Sequence, residues 1–235
     1  MIRTEQIDAG RVKGLVTHAE KARAGVLLLC TITGVDAFMR ERGQRLAEAG
    51  YSSLVWDPYP GEAPPQDLPS AQARAKKLND GTVDEMSECV GYMLGTMQLP
   101  AVAVVGFCLG GRYALLLGGR DKRLFACVPY YPSVHVPNQP QQTLDAVALS
   151  AEIPCPVHLI HAGADQVFKP EAFALVRAAL EQRSVATIVE VHPGAMHSFM
   201  RPDLQNVPAN ASGSRLSWPQ VVAFLDACLA QRTAA

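Results

Sequence analysis

The sequence predicts an α/β protein with a mostly parallel central sheet and helices on both faces. Short apolar runs rich in β-branched residues, such as residues 25–30, 101–105 and 157–161, alternate with segments of helical periodicity. The first two runs are apolar throughout, and the third is interrupted only by histidines; such continuous runs are typical of strands buried on both faces. The length of 235 residues fits one full-sized core, so we expect a single domain over residues 1–235.

The individual elements follow from apolar spacing and turn signals. Residues 3–7 and 12–16 predict an N-terminal hairpin, and Asp36 and Gly50 predict the N-cap and the end of the first helix. Five prolines within residues 58–69 predict a loop. The predicted strands are then residues 25–30, 53–56, 101–105, 125–131, 157–161 and 186–191; the further helices are residues 83–99, 109–117, 171–183 and 216–232, and a polar excursion covers residues 134–151.

Composition restricts the partners. The formal net charge is −1, without a basic stripe or an acidic tail, so we expect no binding to nucleic acid and none to a membrane. The first ten residues carry Arg3, Glu5 and Asp8 and no apolar run, unlike a signal peptide, and no run approaches the ~18 apolar residues of a membrane span. We therefore expect a cytoplasmic protein that is a monomer or a small homo-oligomer.

The cysteines are spread through predicted strands and helices. Without an export signal, free thiols are expected rather than disulfides. No His/Cys group has zinc-like spacing, so we expect no metal and no cofactor. The six cysteines are Cys30, Cys89, Cys108, Cys127, Cys155 and Cys228.

The motif that carries chemistry is Gly-Phe-Cys-Leu-Gly-Gly at residues 106–111, directly after a predicted strand. Its G-x-C-x-G spacing is that of a nucleophile elbow, in which small residues allow a sharp turn from strand into helix. Cys108 would stand at the positive end of that helix, where free N–H groups favour a thiolate and an oxyanion. The alternative interpretation is a small buried cysteine between glycines that only permit close packing.

A thiol nucleophile needs a base and an orienting carboxylate, and in a parallel sheet these lie after the carboxyl ends of strands. Asp165 and His197 each follow a predicted strand, in the order nucleophile, acid, histidine. Asp165 could alternatively serve only as a turn or capping residue. The competing candidates, weaker by position or order, are His158, which we interpret as a core histidine, His161, His192 and Asp203.

Several segments together resemble the dienelactone hydrolase family, over about residues 25–229. The resemblance is more specific than any one motif because the segments occur in the same order. They are Gly-Val-Asp-Ala-Phe-Met-Arg at residues 34–40, Asp-Pro-Tyr at residues 57–59, the elbow at residues 106–111, the turn at residues 163–165 and Ala-Met-His-Ser-Phe at residues 195–199.

The resemblance implies an α/β-hydrolase fold and hydrolysis of a small ester or lactone, similar to the carboxymethylenebutenolidase step in aromatic compound degradation. By the same resemblance, Cys108, Asp165 and His197 would form a catalytic triad that works through a thioester acyl-enzyme. The backbone N–H groups of Ile32 and Leu109 would form the oxyanion hole.

The sequence departs from the family pattern at residues that activate the nucleophile or bind the substrate. Thr31 stands where the family has a glutamate that takes part in activating the nucleophile, and a threonine cannot accept a thiol proton as a carboxylate does. Arg201 matches one of two arginines that bind the substrate carboxylate. The second arginine has no clear match: Arg74 lies nearby in the sequence, and Arg112 is a weaker candidate.

These departures leave other functions open. The same scaffold could hydrolyse other small esters or thioesters, or it could be a catalytically weak relative that binds a ligand. A flavodoxin-like or nucleotide-binding protein is disfavoured because the glycines lack the G-x-G-x-x-G spacing.

Overall fold

The computed structural model describes residues 1–234 of the chain. The strands are β1 (Arg3–Ala9), β2 (Val12–His18), β3 (Ala24–Leu29), β4 (Tyr51–Trp56), β5 (Val102–Phe107), β6 (Leu124–Tyr130), β7 (Val157–Ala162) and β8 (Thr187–His192). Within these residues they form one eight-stranded sheet in the order β1-β2-β4-β3-β5-β6-β7-β8. The β1–β2 and β2–β4 pairs are antiparallel, and the pairs from β4 to β8 are parallel. The predicted mostly parallel sheet is confirmed.

Helices cover both faces of the sheet, as predicted. They are α1 (Ala37–Glu48), α2 (Leu68–Ala75), α3 (Val83–Gly95), α4 (Leu109–Arg120), α5 (Ala146–Ala151), α6 (Pro170–Glu181) and α7 (Pro208–Ala234). In β3, Leu27 and Leu29 join the core under α3, α4 and α6, while Val26 and Leu28 join the core under α1 and α7. The strand is apolar at every position because its alternate side chains enter two different cores.

Several predicted boundaries shift for local reasons. Asp67 accepts a hydrogen bond from Ser70 N at 2.8 Å in a capping box, so α2 begins inside the region predicted as a loop over residues 58–69. The helix predicted for residues 83–99 ends at Gly95. The last helix begins at Pro208 rather than at residue 216, because its first turns are polar or small and lack an apolar period.

The part of the chain that the structure describes contains no helix that is long and apolar enough to cross a membrane. The last helix, α7, is the longest, with 27 residues. It packs through residues such as Trp218, Val221 and Leu225 against the sheet. Its apolar side chains therefore belong to the protein core.

Candidate active site

Cys108 lies at the sharp turn between β5 and α4. It is the N-cap residue of α4, with a backbone φ of +56° and ψ of −112°. A non-glycine residue in this region is strained by about 1–3 kcal/mol, and such strain is concentrated at functional sites. A Cβ at Gly106 would overlap the carbonyl oxygen of Gly110, and one at Gly110 would overlap that of Leu29. The glycines of the motif are therefore required by close backbone approach.

Backbone hydrogen bonds hold the turn against two neighbouring strands. Gly110 N donates to Cys30 O at 2.9 Å, which joins the start of α4 to the end of β3. Cys108 N donates to Tyr130 O at 3.1 Å, and Cys108 O accepts from Ser133 N at 2.9 Å. The N–H and the C=O of Cys108 are thereby held by the end of β6 and the loop that follows it. The backbone that carries the thiol therefore has a defined position at the edge of the sheet.

Asp165 lies in the turn after β7 and is almost completely buried. Its Oδ1 accepts hydrogen bonds from Val167 N at 2.7 Å and from Phe168 N at 2.8 Å. The same carboxylate accepts from His197 Nδ1, at 2.8 Å through Oδ2 and 3.0 Å through Oδ1. Asp165 is thus both a turn residue and the partner of His197, so the two interpretations of this residue are compatible.

The loops that carry the acid and the histidine are tied together. Ala164 N donates to Ala195 O at 2.8 Å. Met196 N donates at 2.8 Å to Oδ1 of Asn210, a fully buried residue in the first turn of α7. The early start of α7 therefore serves the site, because it supplies the side chain that holds the backbone next to His197.

His197 lies near Cys108, and its second ring nitrogen is free. Nε2 is buried and has no hydrogen-bond partner among the described residues. Burial lowers the pKa of His197, but the nearby charge of Cys108 and the hydrogen bond with Asp165 raise it to about 10. The surroundings of the imidazole therefore favour its protonated form when a negative charge lies on Cys108.

We expect the pKa of His197 to fall in Cys108→Ala. Its value of about 10 depends mainly on the charge of Cys108 among the favourable interactions, and the opposing effect of burial persists when that charge is removed. Titration of the histidine Cε1–H resonance by NMR measures the change. The Cys228→Ala variant should titrate like the wild-type protein, and an identical His197 titration in Cys108→Ala would contradict the assigned pairing.

The other histidines near the strand ends have structural partners. His158 and His192 place their Nε2 atoms 2.9 and 2.8 Å from the two oxygens of Glu190. Burial raises the pKa of Glu190, but these two histidines hold it at about 2. His161 stacks on Phe173 with ring centroids 3.9 Å apart. The histidine that contacts the acid of the site is the one predicted as the base.

Two free N–H groups lie beside the turn at Cys108. Among the described residues, no hydrogen bond involves the N–H of Ile32, after β3, or of Leu109, the first residue of α4. The first N–H groups of a helix lack intrahelical partners. The hydrogen bond from Gly110 N to Cys30 O joins the start of α4 to the end of β3. The N–H groups of Ile32 and Leu109 lie on either side of this hydrogen bond along their two segments.

The predicted substrate-side residues are already engaged. Thr31 is buried, and its hydroxyl lies 2.7 Å from that of Thr33. Arg201 donates from Nε to Asp203 Oδ1 at 2.9 Å and from Nη2 to Oδ2 at 3.2 Å. In the sequence, Asp203 was only a competing candidate for the acid. In the structure its carboxylate binds the guanidinium of Arg201, the arginine predicted to bind the substrate carboxylate.

Arg112 is not available to a substrate, which corrects its candidacy as a second carboxylate-binding arginine. It is fully buried and forms two hydrogen bonds with Asp80, at 2.5 and 3.0 Å. It also donates to Leu144 O at 3.0 Å. The sequence could not reveal this because both partners lie far from Arg112 along the chain.

Sequence reasoning missed two residues of the site. The ring of Tyr131 lies 5.4 Å from that of His197, and its backbone φ is +33°. His135 lies close enough that burial and the charges of Arg112 and His197 lower its pKa. Tyr131 directly follows β6, so its strand-end position is the signal that could have identified it.

A mostly parallel sheet of this order, with a sharp strand-to-helix turn after β5 and a histidine–carboxylate pair contributed by the loops after β8 and β7, is the arrangement of an α/β hydrolase. A model of the dienelactone hydrolase family matches residues 12–229. The chain belongs to the dienelactone hydrolase family, which supports hydrolysis of esters or lactones.

Known proteins agree with this assignment. A carboxymethylenebutenolidase from Rhodococcus opacus is 26% identical over 210 residues, covering 86% of this chain and 80% of the relative. A dienelactone hydrolase-like promiscuous phosphotriesterase from metagenomic libraries has a TM-score of 0.80 at 19% identity, covering 97% and 98% of the two chains. The dienelactone hydrolase from Anabaena variabilis has a TM-score of 0.64 at 18% identity, covering 91% and 95%. The structural matches concern the fold.

Proposed function

We propose that the protein hydrolyses a small ester or lactone through a thioester acyl-enzyme on Cys108. The observation that carries the proposal is the buried pair of His197 and Asp165, in which the imidazole keeps a free Nε2 and lies close enough to Cys108 to respond to its charge. A nucleophile, a base beside it and a carboxylate that orients the base are the parts that acyl transfer requires. They come from three loops at the carboxyl edge of one sheet.

The reaction would proceed in two halves. His197 takes the thiol proton as the sulfur of Cys108 bonds to the substrate carbonyl carbon, and the resulting oxyanion accepts from the N–H groups of Ile32 and Leu109. The C–O bond then breaks, and the imidazolium returns its proton to the leaving alkoxide or enolate. A water molecule, deprotonated by His197, attacks the thioester and releases the carboxylic acid and the free thiol. Asp165 holds the imidazole in one tautomer throughout.

An acyl-enzyme test examines this proposal directly. With p-nitrophenyl trimethylacetate, whose hindered acyl group is released slowly, we expect a burst of about one p-nitrophenolate per protein. Peptide mapping after acid quench should place the acyl group on Cys108, and neutral hydroxylamine should remove it. Steady turnover without a burst or adduct, or an adduct on another residue, would contradict the thioester route.

Dienelactone-like substrates carry a carboxylate, and we propose Arg201 as the residue that binds it, with Thr31 shaping the loop beside it. A second candidate, hydrolysis of uncharged small esters or thioesters, is favoured by the pairing of Arg201 with Asp203. In that case the carboxylate of Asp203 already occupies the position that a substrate carboxylate needs. Only one guanidinium nitrogen of Arg201, Nη1, has no partner among the described residues.

The Asp203→Asn variant separates these two substrate classes. Weakening an exposed ion pair costs up to about 1 kcal/mol, so we expect kcat/KM for a carboxymethylene-butenolide to rise by about 3- to 5-fold relative to p-nitrophenyl acetate. Glu181→Gln removes a comparable exposed pair with Arg177 and serves as the control. An unchanged ratio of the two substrates would show that Arg201 does not bind the carboxylate.

A further inference from the structure

The loop between β3 and α1 contains an ordered chain of three side chains. Thr33 Oγ1 donates to Asp36 Oδ2 at 2.7 Å, and Thr31 Oγ1 lies 2.7 Å from Thr33 Oγ1. Because a hydroxyl has one hydrogen and a carboxylate has none, Thr33 must accept from Thr31 while it donates to Asp36. The direction of the chain is therefore set from Thr31 through Thr33 to the carboxylate.

Asp36 anchors this chain to a helix. Its Oδ1 accepts from Met39 N at 3.0 Å as the N-cap of α1. Within the loop, Gly34 N donates to Thr31 O at 3.2 Å and Asp36 N donates to Gly34 O at 2.9 Å. One carboxylate thus joins the rigid end of α1 to the loop that follows β3.

Arg74 holds the same loop from the opposite side. This arginine of α2 is 9% exposed; its Nη2 donates to Thr33 O at 2.8 Å and its Nη1 to Ala63 O at 3.2 Å. Its guanidinium carbon lies 3.7 Å from the ring centroid of Tyr59. The Tyr59 ring in turn packs on Gly34, where a Cβ would come within 3.1 Å of it.

Ile32 lies between the two held threonines, and its N–H has no partner among the described residues. A backbone donor stabilises an oxyanion only when it is held in place before the charge develops. We propose that Thr33, Asp36 and Arg74 are positioning residues that fix the loop and aim the Ile32 N–H at the oxyanion. The inference rests on the proposed hydrolase function.

This role also defines what Thr31 and Arg74 do. The hydroxyl hydrogen of Thr31 is committed to Thr33, and its oxygen accepts from Thr33 N at 3.3 Å, so Thr31 serves the loop and supplies no proton to the site. Arg74 binds two backbone carbonyls, so its task is to hold the oxyanion loop rather than a substrate carboxylate. The network concerns stabilisation of the oxyanion, while the activation of the thiol remains with His197.

The Thr33→Val variant tests the network, since valine keeps the shape and removes the hydroxyl. We expect kcat to fall about 10- to 100-fold on p-nitrophenyl acetate with KM changed less than about 3-fold, because the contact strengthens in the transition state. Thr17→Val is the matched control: this buried threonine pairs with the hydroxyl of Thr4, 3.3 Å away, in the N-terminal hairpin. It should match Thr33→Val in Tm and the wild-type protein in kcat.

A second readout does not depend on turnover. A trifluoromethyl ketone forms a tetrahedral adduct with a reactive thiol, and its affinity should fall by the same factor as kcat in Thr33→Val, whereas the rate of Cys108 alkylation by iodoacetamide should not change. Arg74→Met should show the same pattern, with partial recovery in Arg74→Lys.

The outcomes separate the two levels of the proposal. If the wild-type protein neither hydrolyses esters nor forms the adduct, the proposed function fails and the network has no catalytic role. If the wild-type protein does both but Thr33→Val and Arg74→Met retain wild-type kcat and adduct affinity, the positioning inference alone is overturned. A fall in alkylation rate equal to the fall in kcat would also overturn it, because the thiol would then be the group affected.

Discussion

Replacing Cys108 with alanine is expected to lower kcat/KM for ester and lactone hydrolysis by at least about four orders of magnitude. The variant removes the atom that would form the acyl bond, and no other group at the turn replaces it. Alanine adopts the backbone φ of +56° at no greater cost than cysteine, since both carry a Cβ. Ring opening of a carboxymethylene-butenolide, followed by ultraviolet absorbance, measures the loss.

The control for this prediction is Cys228→Ala, which removes a buried free thiol from α7. It should retain wild-type activity. Because members of a triad act as a unit, the double variant Cys108→Ala/His197→Ala should be little worse than Cys108→Ala alone. Substantial hydrolysis by Cys108→Ala, or strictly additive losses in the double variant, would show that the proposed nucleophile is not used.

The second large effect concerns stability. Arg112→Met is expected to lower the free energy of unfolding by about 3–5 kcal/mol, because it leaves the carboxylate of Asp80 buried without its cation. The side chains of Arg112 and Asp80 are 1% and 2% exposed. The pair also joins three segments, since Asp80 accepts from Leu144 N at 2.7 Å and Arg112 donates to Leu144 O. Urea denaturation measures the loss.

Arg120→Met is the matched control, with the same substitution on the same helix. Arg120 pairs with Asp84 at 3.3 Å, and their side chains are 44% and 57% exposed, so the loss should stay below about 1 kcal/mol. The folded Arg112→Met protein should keep its KM for a carboxylated lactone. A raised KM without a loss of stability would instead assign Arg112 to substrate binding.

Features that depend on near neighbours in the chain were predictable from the sequence. The strands appear where apolar runs predict them, and the cap at Asp36 forms as expected. The short helices α2 and α5 were not predicted, since they begin in segments that were interpreted as a loop and a polar excursion. The turn at Cys108 follows from the glycines around it. Asp165 and His197 were identified because parallel strands bring their carboxyl ends together, and the two side chains do contact each other.

Features that depend on distant partners were decided only by the tertiary structure. Three arginines show this, because the sequence alone does not distinguish their roles. Arg74 binds two backbone carbonyls, Arg112 binds a buried carboxylate and Arg201 binds an exposed carboxylate. A guanidinium takes its role from the acceptors that the fold places around it, and those acceptors can be far away in the chain.

The fold class, the sharp turn at the cysteine and the order of acid and histidine could be predicted from the sequence, because they follow from local backbone preference and from the position of residues after strand ends. Which polar groups remain free depends on the packed chain. The Thr31 hydroxyl is committed to Thr33, while the N–H groups of Ile32 and Leu109 have no partner among the described residues. Availability is a property of packing, since a donor is free only when the assembled chain places no acceptor beside it.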